Sequence, residues 1–163
     1  MATWARLLLG DFASVMAQLL PLMGDAGKAF LHNANSAVAP LASVAEMSQL
    51  LVLRDGLGRA WSQFMAEHPL VLTPTWTQLA FEQGFDVASP AGSAATVEMM
   101  RPVVPANLLG LPSACVPAGR DSATGLPIGV LLTGAHMRDD LCLDAAEWVE
   151  AQCGLATPID PVA

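Results

Sequence analysis

Apolar positions fall into three patterns along the chain. The clearest is helical: Leu50, Leu53, Leu57, Trp61 and Phe64 recur at steps of three or four, while Gln49, Asp55, Arg59, Ser62 and Glu67 occupy other faces. Ser43 and Glu46 have the spacing of a capping box, so this helix is predicted to start near Val44, and Pro69 ends it. A weaker helical pattern covers Thr3 to Leu20, limited by Gly10 and Pro21, and a short helix fits Ala26 to His32. A third helix follows Asp139 or Asp140 as its cap, carries Leu141, Ala145, Trp148 and Val149 inward, and stops at Gly154.

The second pattern is the short apolar run. Leu70-Val71-Leu72-Thr73, stopped by Pro74, reads as a strand covered on both faces among parallel neighbours. Ser113 to Val116 and Ile128 to Thr133 read as an antiparallel hairpin joined by the turn residues of Ala118 to Gly125. The third pattern is interruption: a loop is expected from Thr75 to about Ala95, and Pro102 and Pro105 break Val97 to Leu109 into two helical pieces. Together these predict an α/β fold, a mixed β-sheet flanked by helices.

Composition changes this picture in one respect. Of 163 residues, 53% are apolar and only 13% charged, against about 25% charged in an ordinary soluble domain. So few charges leave apolar surface in want of a partner. The net charge of -8 excludes general attraction to nucleic acid or anionic membranes. Uncharged runs long enough for a bilayer contain prolines, as in Pro102 to Gly119, so no span is expected, and the N-terminus lacks the pattern of a secretory signal. Three cysteines, Cys115, Cys142 and Cys153, lack C-x-x-C spacing and suit a reducing, cytoplasmic setting as buried thiols.

Few residues point to chemistry. His32, His68 and His136 are far apart in sequence, without metal-ligand spacing, so neither a metal nor a cofactor is expected. Cys115, inside an apolar strand, is expected to be inert. Thr75 and Trp76 lie beyond the carboxyl end of a strand, where α/β proteins place ligands, and are assigned to the edge of a substrate pocket, the alternative for Trp76 being to pack under the loop. Asn107 stands between the broken helix and the hairpin, either tying backbone groups there or joining that pocket edge.

The order of motifs carries more. Asn107-Leu108-Leu109-Gly110-Leu111-Pro112-Ser113-Ala114-Cys115-Val116-Pro117-Ala118-Gly119, then Gly125-Leu126-Pro127-Ile128-Gly129-Val130-Leu131-Leu132-Thr133-Gly134, then Asp139-Asp140-Leu141, resembles the C-terminal stretch of amidase-signature hydrolases. Upstream, a long helix running into Leu70-Val71-Leu72-Thr73-Pro74-Thr75 is similar to the same family. The resemblance covers residues 43–154, leaving 1–42 as a weakly matched helical segment and 155–163 as a tail. It implies hydrolysis of carboxylic amides through an acyl-enzyme on a serine, activated by a second serine and a lysine that serves as base. The implied triad has no counterpart here: Lys28 is the only lysine and its setting differs, no two serines are adjacent, and Ser93 in Ala91-Gly92-Ser93 follows the Thr-Pro-Thr strand instead of preceding it.

By the resemblance, then, the chain corresponds to about the last third of an amidase. No catalytic residue is assigned, and it is expected to be inactive alone, meeting an amide substrate only in a complete enzyme. A second reading is a binding or assembly module that forms a homo-oligomer or docks onto a complementary N-terminal chain. A third, a hydrolase built on Ser93 or Cys115, lacks a base.

Overall fold

The computed structural model describes residues 1–36 and 38–154, so the 155–163 tail lies outside the described residues. Three helices come first: α1 (Ala2–Leu19), extended by a tight turn over Leu20–Leu22, then α2 (Asp25–Ser36) and α3 (Val44–Glu67). Strand β1 (Leu70–Pro74) follows, then three short helices, α4 (Phe85–Ala88), α5 (Pro90–Met99) and α6 (Val104–Leu109). The chain continues through β2 (Ser113–Arg120), β3 (Pro127–Gly134) and α7 (Asp139–Cys153).

The α/β character and the flanking helices are as expected, but the sheet is antiparallel. Its order is β1-β3-β2, with Leu70 opposite Gly134, Thr73 opposite Leu131, and Cys115 opposite Leu131. The parallel neighbours expected for Leu70–Thr73 are absent among the described residues, and Leu72 is 60% exposed on an edge strand. An apolar run records hydrophobic surroundings without recording strand direction, and here part of that surface is left uncovered. The hairpin of β2 and β3 forms as predicted, with a register irregularity between Pro117 and Gly119.

Side chains are buried on both faces of the sheet, Leu131 and Thr133 on one and a cluster against α7 on the other. Val116 and Leu132 pack with Ala146 of α7, and Ala114, Val130, Ala145 and Val149 surround them. The inward face of α7 is Cys142 and Ala146, flanked by Ala145 and Val149; Trp148, expected inside, is 66% exposed. Small residues are required because the helix comes very close: a Cβ on Gly134 would stand 2.7 Å from Cys142 Sγ. Arg138 occupies the cap position without capping the helix amides, its guanidinium donating instead to Asp140, while Asp139 and Asp140 enter the first turn, where acidic groups are favourable, and Gly154 ends the helix at φ 58°.

Helix α3 starts as predicted, with Ser43 accepting from the Glu46 amide at 3.2 Å. Glu46 reaches one residue further back than a capping box requires, accepting from the Ala42 amide at 2.8 Å and from Arg6 Nη2 at 2.5 Å. This docks α1 beside α3. The apolar stripe of α3 is less covered than its periodicity predicts: Leu53, Leu57 and Phe64 are each more than 40% exposed, and Met65 is its buried residue.

The expected loop stops short at Phe85, where α4 begins, and Ser89 then caps α5 by accepting from the Gly92 amide while Pro90 opens the helix. The predicted break falls at residues 100–103, after which Pro105 sits in the first turn of α6 and Gly110 ends it at φ 69°. Among the described residues one helical stretch, Ala2–Leu22, is long and apolar enough to cross a membrane by length and composition, although Arg6 and Asp11 interrupt it.

Candidate functional site

Beyond the carboxyl end of β1 the chain turns out of the sheet and forms one wall of a cleft of about 840 Å³. Thr75 extends the pairing of β1 by donating its amide to the Gly129 carbonyl at 3.1 Å, and Thr77 donates to the Met99 carbonyl at 3.1 Å. Between these anchors Trp76 is held over the cleft, its ring 6.2 Å from that of Phe81, which in turn lies 5.4 Å from Phe85. The floor is the outer sheet surface at Cys115, Pro117, Ile128 and Gly129.

At the centre of that floor, Thr75 Oγ1 and Cys115 Sγ lie 3.0 Å apart. Gly129 permits this pair, since a Cβ there would stand 3.0 Å from Thr75 Oγ1 and 3.3 Å from Cys115 Sγ. Cys115 is exposed, which corrects the expectation of a buried thiol. Alternation carries the reason: Ala114 and Val116 face α7, so Cys115 faces the cleft. Cys142 does behave as expected. Burial pushes its thiol pKa up, and it is only 2% exposed.

Asp121, at the rim, is committed to its own turn. Its carboxylate accepts from the Thr124 hydroxyl and amide, both at 2.7 Å, and from the Ala123 amide at 3.2 Å, and these bonds hold its pKa below the usual carboxylate range. Among the described residues the lining contains neither lysine nor histidine. The cleft therefore offers aromatic and aliphatic walls, the hydroxyls of Thr75 and Thr77, the Gln78 amide and the Cys115 thiol. It can hold an apolar group, and the carboxylate at its rim, Asp121, is already engaged by Thr124.

Of the assigned residues, the structure brings Thr75 and Trp76 together and leaves Asn107 elsewhere. Asn107 Oδ1 accepts from the indole N–H of Trp4 at 2.6 Å, tying α6 to α1. Phe81, Ile128 and Gly129 complete the cleft and have no chemical signature in the sequence. Ser93 is fully buried: its hydroxyl donates to the Asp86 carbonyl at 2.5 Å and accepts from Asn33 Nδ2 at 3.0 Å. It holds α2, α4 and α5 together and has no access to substrate. Lys28 is exposed, 3.9 Å from Asp25 and outside the cleft lining. Among the described residues no group of three or more His, Cys, Asp or Glu side chains converges as a metal site.

Comparison with known proteins identifies the family. The Amidase family model matches residues 20–143, three quarters of the chain. The chain belongs to the amidase family. It is 32% identical over 135 residues to an indoleacetamide hydrolase of Bradyrhizobium diazoefficiens, covering 76% of this chain and 24% of that protein. It is 33% identical over 101 residues to a glutamyl-tRNA(Gln) amidotransferase subunit of Lacticaseibacillus casei, covering 61% of this chain and 20% of that protein. The crystal structure of the corresponding amidotransferase polypeptide from Thermotoga maritima superposes with a TM-score of 0.57 at 27% identity, over 65% of this chain and 22% of the other. A bacterial aryl acylamidase of the amidase-signature family shares the fold over 96% of this chain and 36% of its own, with a TM-score of 0.64 at 23% identity. The chain spans a quarter to a third of the length of the first curated relatives it matches.

Proposed function

We propose that this amidase chain supplies one wall of an amide-binding pocket, with Trp76, Phe81 and Ile128 holding the apolar part of a carboxylic amide. The nucleophile and its base come from a complementary, catalytic portion. The observation that carries the reading is the cleft at Thr75 and Trp76, which has aromatic walls and, among the described residues, neither lysine nor histidine in its lining. The relatives support it, since one is named for hydrolysis of indoleacetamide and another as an aryl acylamidase. Aryl amides are therefore the proposed substrate class, a cytosolic setting is part of the reading, and the chain alone is inactive.

The test is an NMR titration of the chain with indole-3-acetamide, following the Thr75 to Phe81 amides. Saturable shifts that Trp76→Ala weakens about tenfold support the reading, because aromatic contacts of this kind contribute on the order of 1 kcal/mol beyond their buried area. Shifts elsewhere, or none, contradict it.

The assembly reading is favoured by a separate observation, the exposed apolar positions Leu53, Leu57 and Phe64 on α3 and Leu72 on the sheet edge. It makes this surface the seat of a second copy or of the catalytic portion. Sedimentation at rising concentration distinguishes the two, since self-association raises the mass of the chain alone.

A further inference from the structure

A second cleft, of about 530 Å³, lies where α3 passes the end of α6 and the turn between β3 and α7. We infer that it is a binding site for a small oxyanion, a carboxylate or phosphate group. Its walls carry Arg54, Asp55, Arg59, Ser62, Gln63 and His136, with Leu109 closing one end.

Cations are scarce in this chain, seven against fifteen acidic residues, so their placement is informative. Arg6, Lys28, Arg101 and Arg138 each lie against a carboxylate, those of Glu46, Asp25, Glu98 and Asp140. Arg120 donates to the Gly125 carbonyl. The other two both line this cleft. Arg54 lies 3.9 Å from the Asp55 carboxylate, the same separation as Lys28 from Asp25, and it is Arg59 that has no salt-bridge or hydrogen-bond partner among the described residues. Two guanidinium groups against one carboxylate leave the cleft positive within a chain of net charge -8. A guanidinium presents paired N–H donors that match the two oxygens of a carboxylate or phosphate, and Ser62, Gln63 and His136 add single donors around them. The overall negative charge repels a polyanion and leaves a small one as the ligand.

Gly58, on the same wall, points the same way. Glycine destabilises a helix interior relative to alanine, yet a Cβ at Gly58 would meet nothing within 4 Å. No neighbour among the described residues requires the glycine. The space it leaves belongs to the cleft, where an anion can approach the helix between the two arginines.

The experiment is a titration of the whole chain with inorganic phosphate, and separately with acetate, at constant ionic strength set by chloride, following the amides of Arg54 to Gln63 by NMR. Saturable shifts are expected with at least one of the two anions. R59Q should weaken them about tenfold, and R59K, which keeps the charge without the fork, by less. Tighter binding of phosphate assigns a phosphate group, and tighter binding of acetate a carboxylate. Arg59 is exposed, so R59Q keeps the rest of the spectrum. G58A should raise the melting temperature and weaken binding several-fold. Shifts that stay linear, that chloride alone reproduces, or that survive R59Q overturn the inference, and binding unchanged in G58A overturns the role given to Gly58.

Discussion

Single residues explain why a glycine-serine pair that resembles a catalytic segment is structural. A Cβ at Gly92 would stand 2.2 Å from the Phe85 carbonyl oxygen, so α4 and α5 can meet there only at glycine, and Ser93 beside it spends its hydroxyl on backbone and Asn33. Gly92→Ala is expected to destabilise the fold by about 1–3 kcal/mol, read from the midpoint of urea unfolding, as overpacking commonly does. An unchanged midpoint would mean the helices part at no cost. The thiols give a second prediction at this scale. Cys115 should react quickly with a maleimide near pH 8, and bound indole-3-acetamide should slow it. Cys142, buried and with its pKa pushed up by burial, should react only on unfolding. Mass spectrometry after brief labelling separates the two. The exposure of Cys115 is masked in the sequence by its apolar neighbours, although strand alternation holds the answer. Phe81 and Ile128 carry no signal in one sequence, since an aromatic or aliphatic residue looks the same in a core and in a cleft.

Elements whose ends are set by local hydrogen bonds are legible in the sequence, and those set by tertiary surroundings are not. Ser43 and Glu46 mark the start of α3 because the cap is a contact within four residues, and Ser43→Ala should cost about 1 kcal/mol in thermal unfolding. Gly154 likewise ends α7 where expected. The inward face of α7 differs from its periodicity, because the sheet admits only small side chains there and excludes Trp148. For β1, partner direction depends on β3, far along the chain. Helix α5 is hidden in a stretch of glycine, alanine and serine whose one strong signal, Ser89 followed by Pro90, suits a loop as well as a helix start. The junction of α1 and α3 also carries a pH dependence. The Ala42 amide, first, and the Arg6 guanidinium hold the Glu46 carboxyl below its ordinary value. Its contribution is thus complete above the ordinary carboxylate range and is lost as pH falls through the lowered folded value. Glu46→Gln should flatten the acid limb of a stability-against-pH curve; an identical limb in both proteins would contradict the assignment.

For the whole molecule, surface is the informative quantity. The chain exposes 10,451 Å², whereas a free-standing protein of its mass exposes about 7,700 Å² by the usual scaling. Excess surface with uncovered leucines on α3 and β1 fits a chain that spans a quarter to a third of its relatives, and the apolar, charge-poor composition points the same way. The melting midpoint should therefore rise with protein concentration, or on addition of a catalytic portion of a related amidase, and a midpoint fixed under both conditions would make the surface self-sufficient. The most direct test of the central claim is release of ammonia from indole-3-acetamide by the purified chain. The account predicts no release above buffer from the chain alone, and release once a portion carrying the serine and lysine groups is added. Turnover by the chain alone that Cys115→Ala or Ser93→Ala abolishes would contradict it.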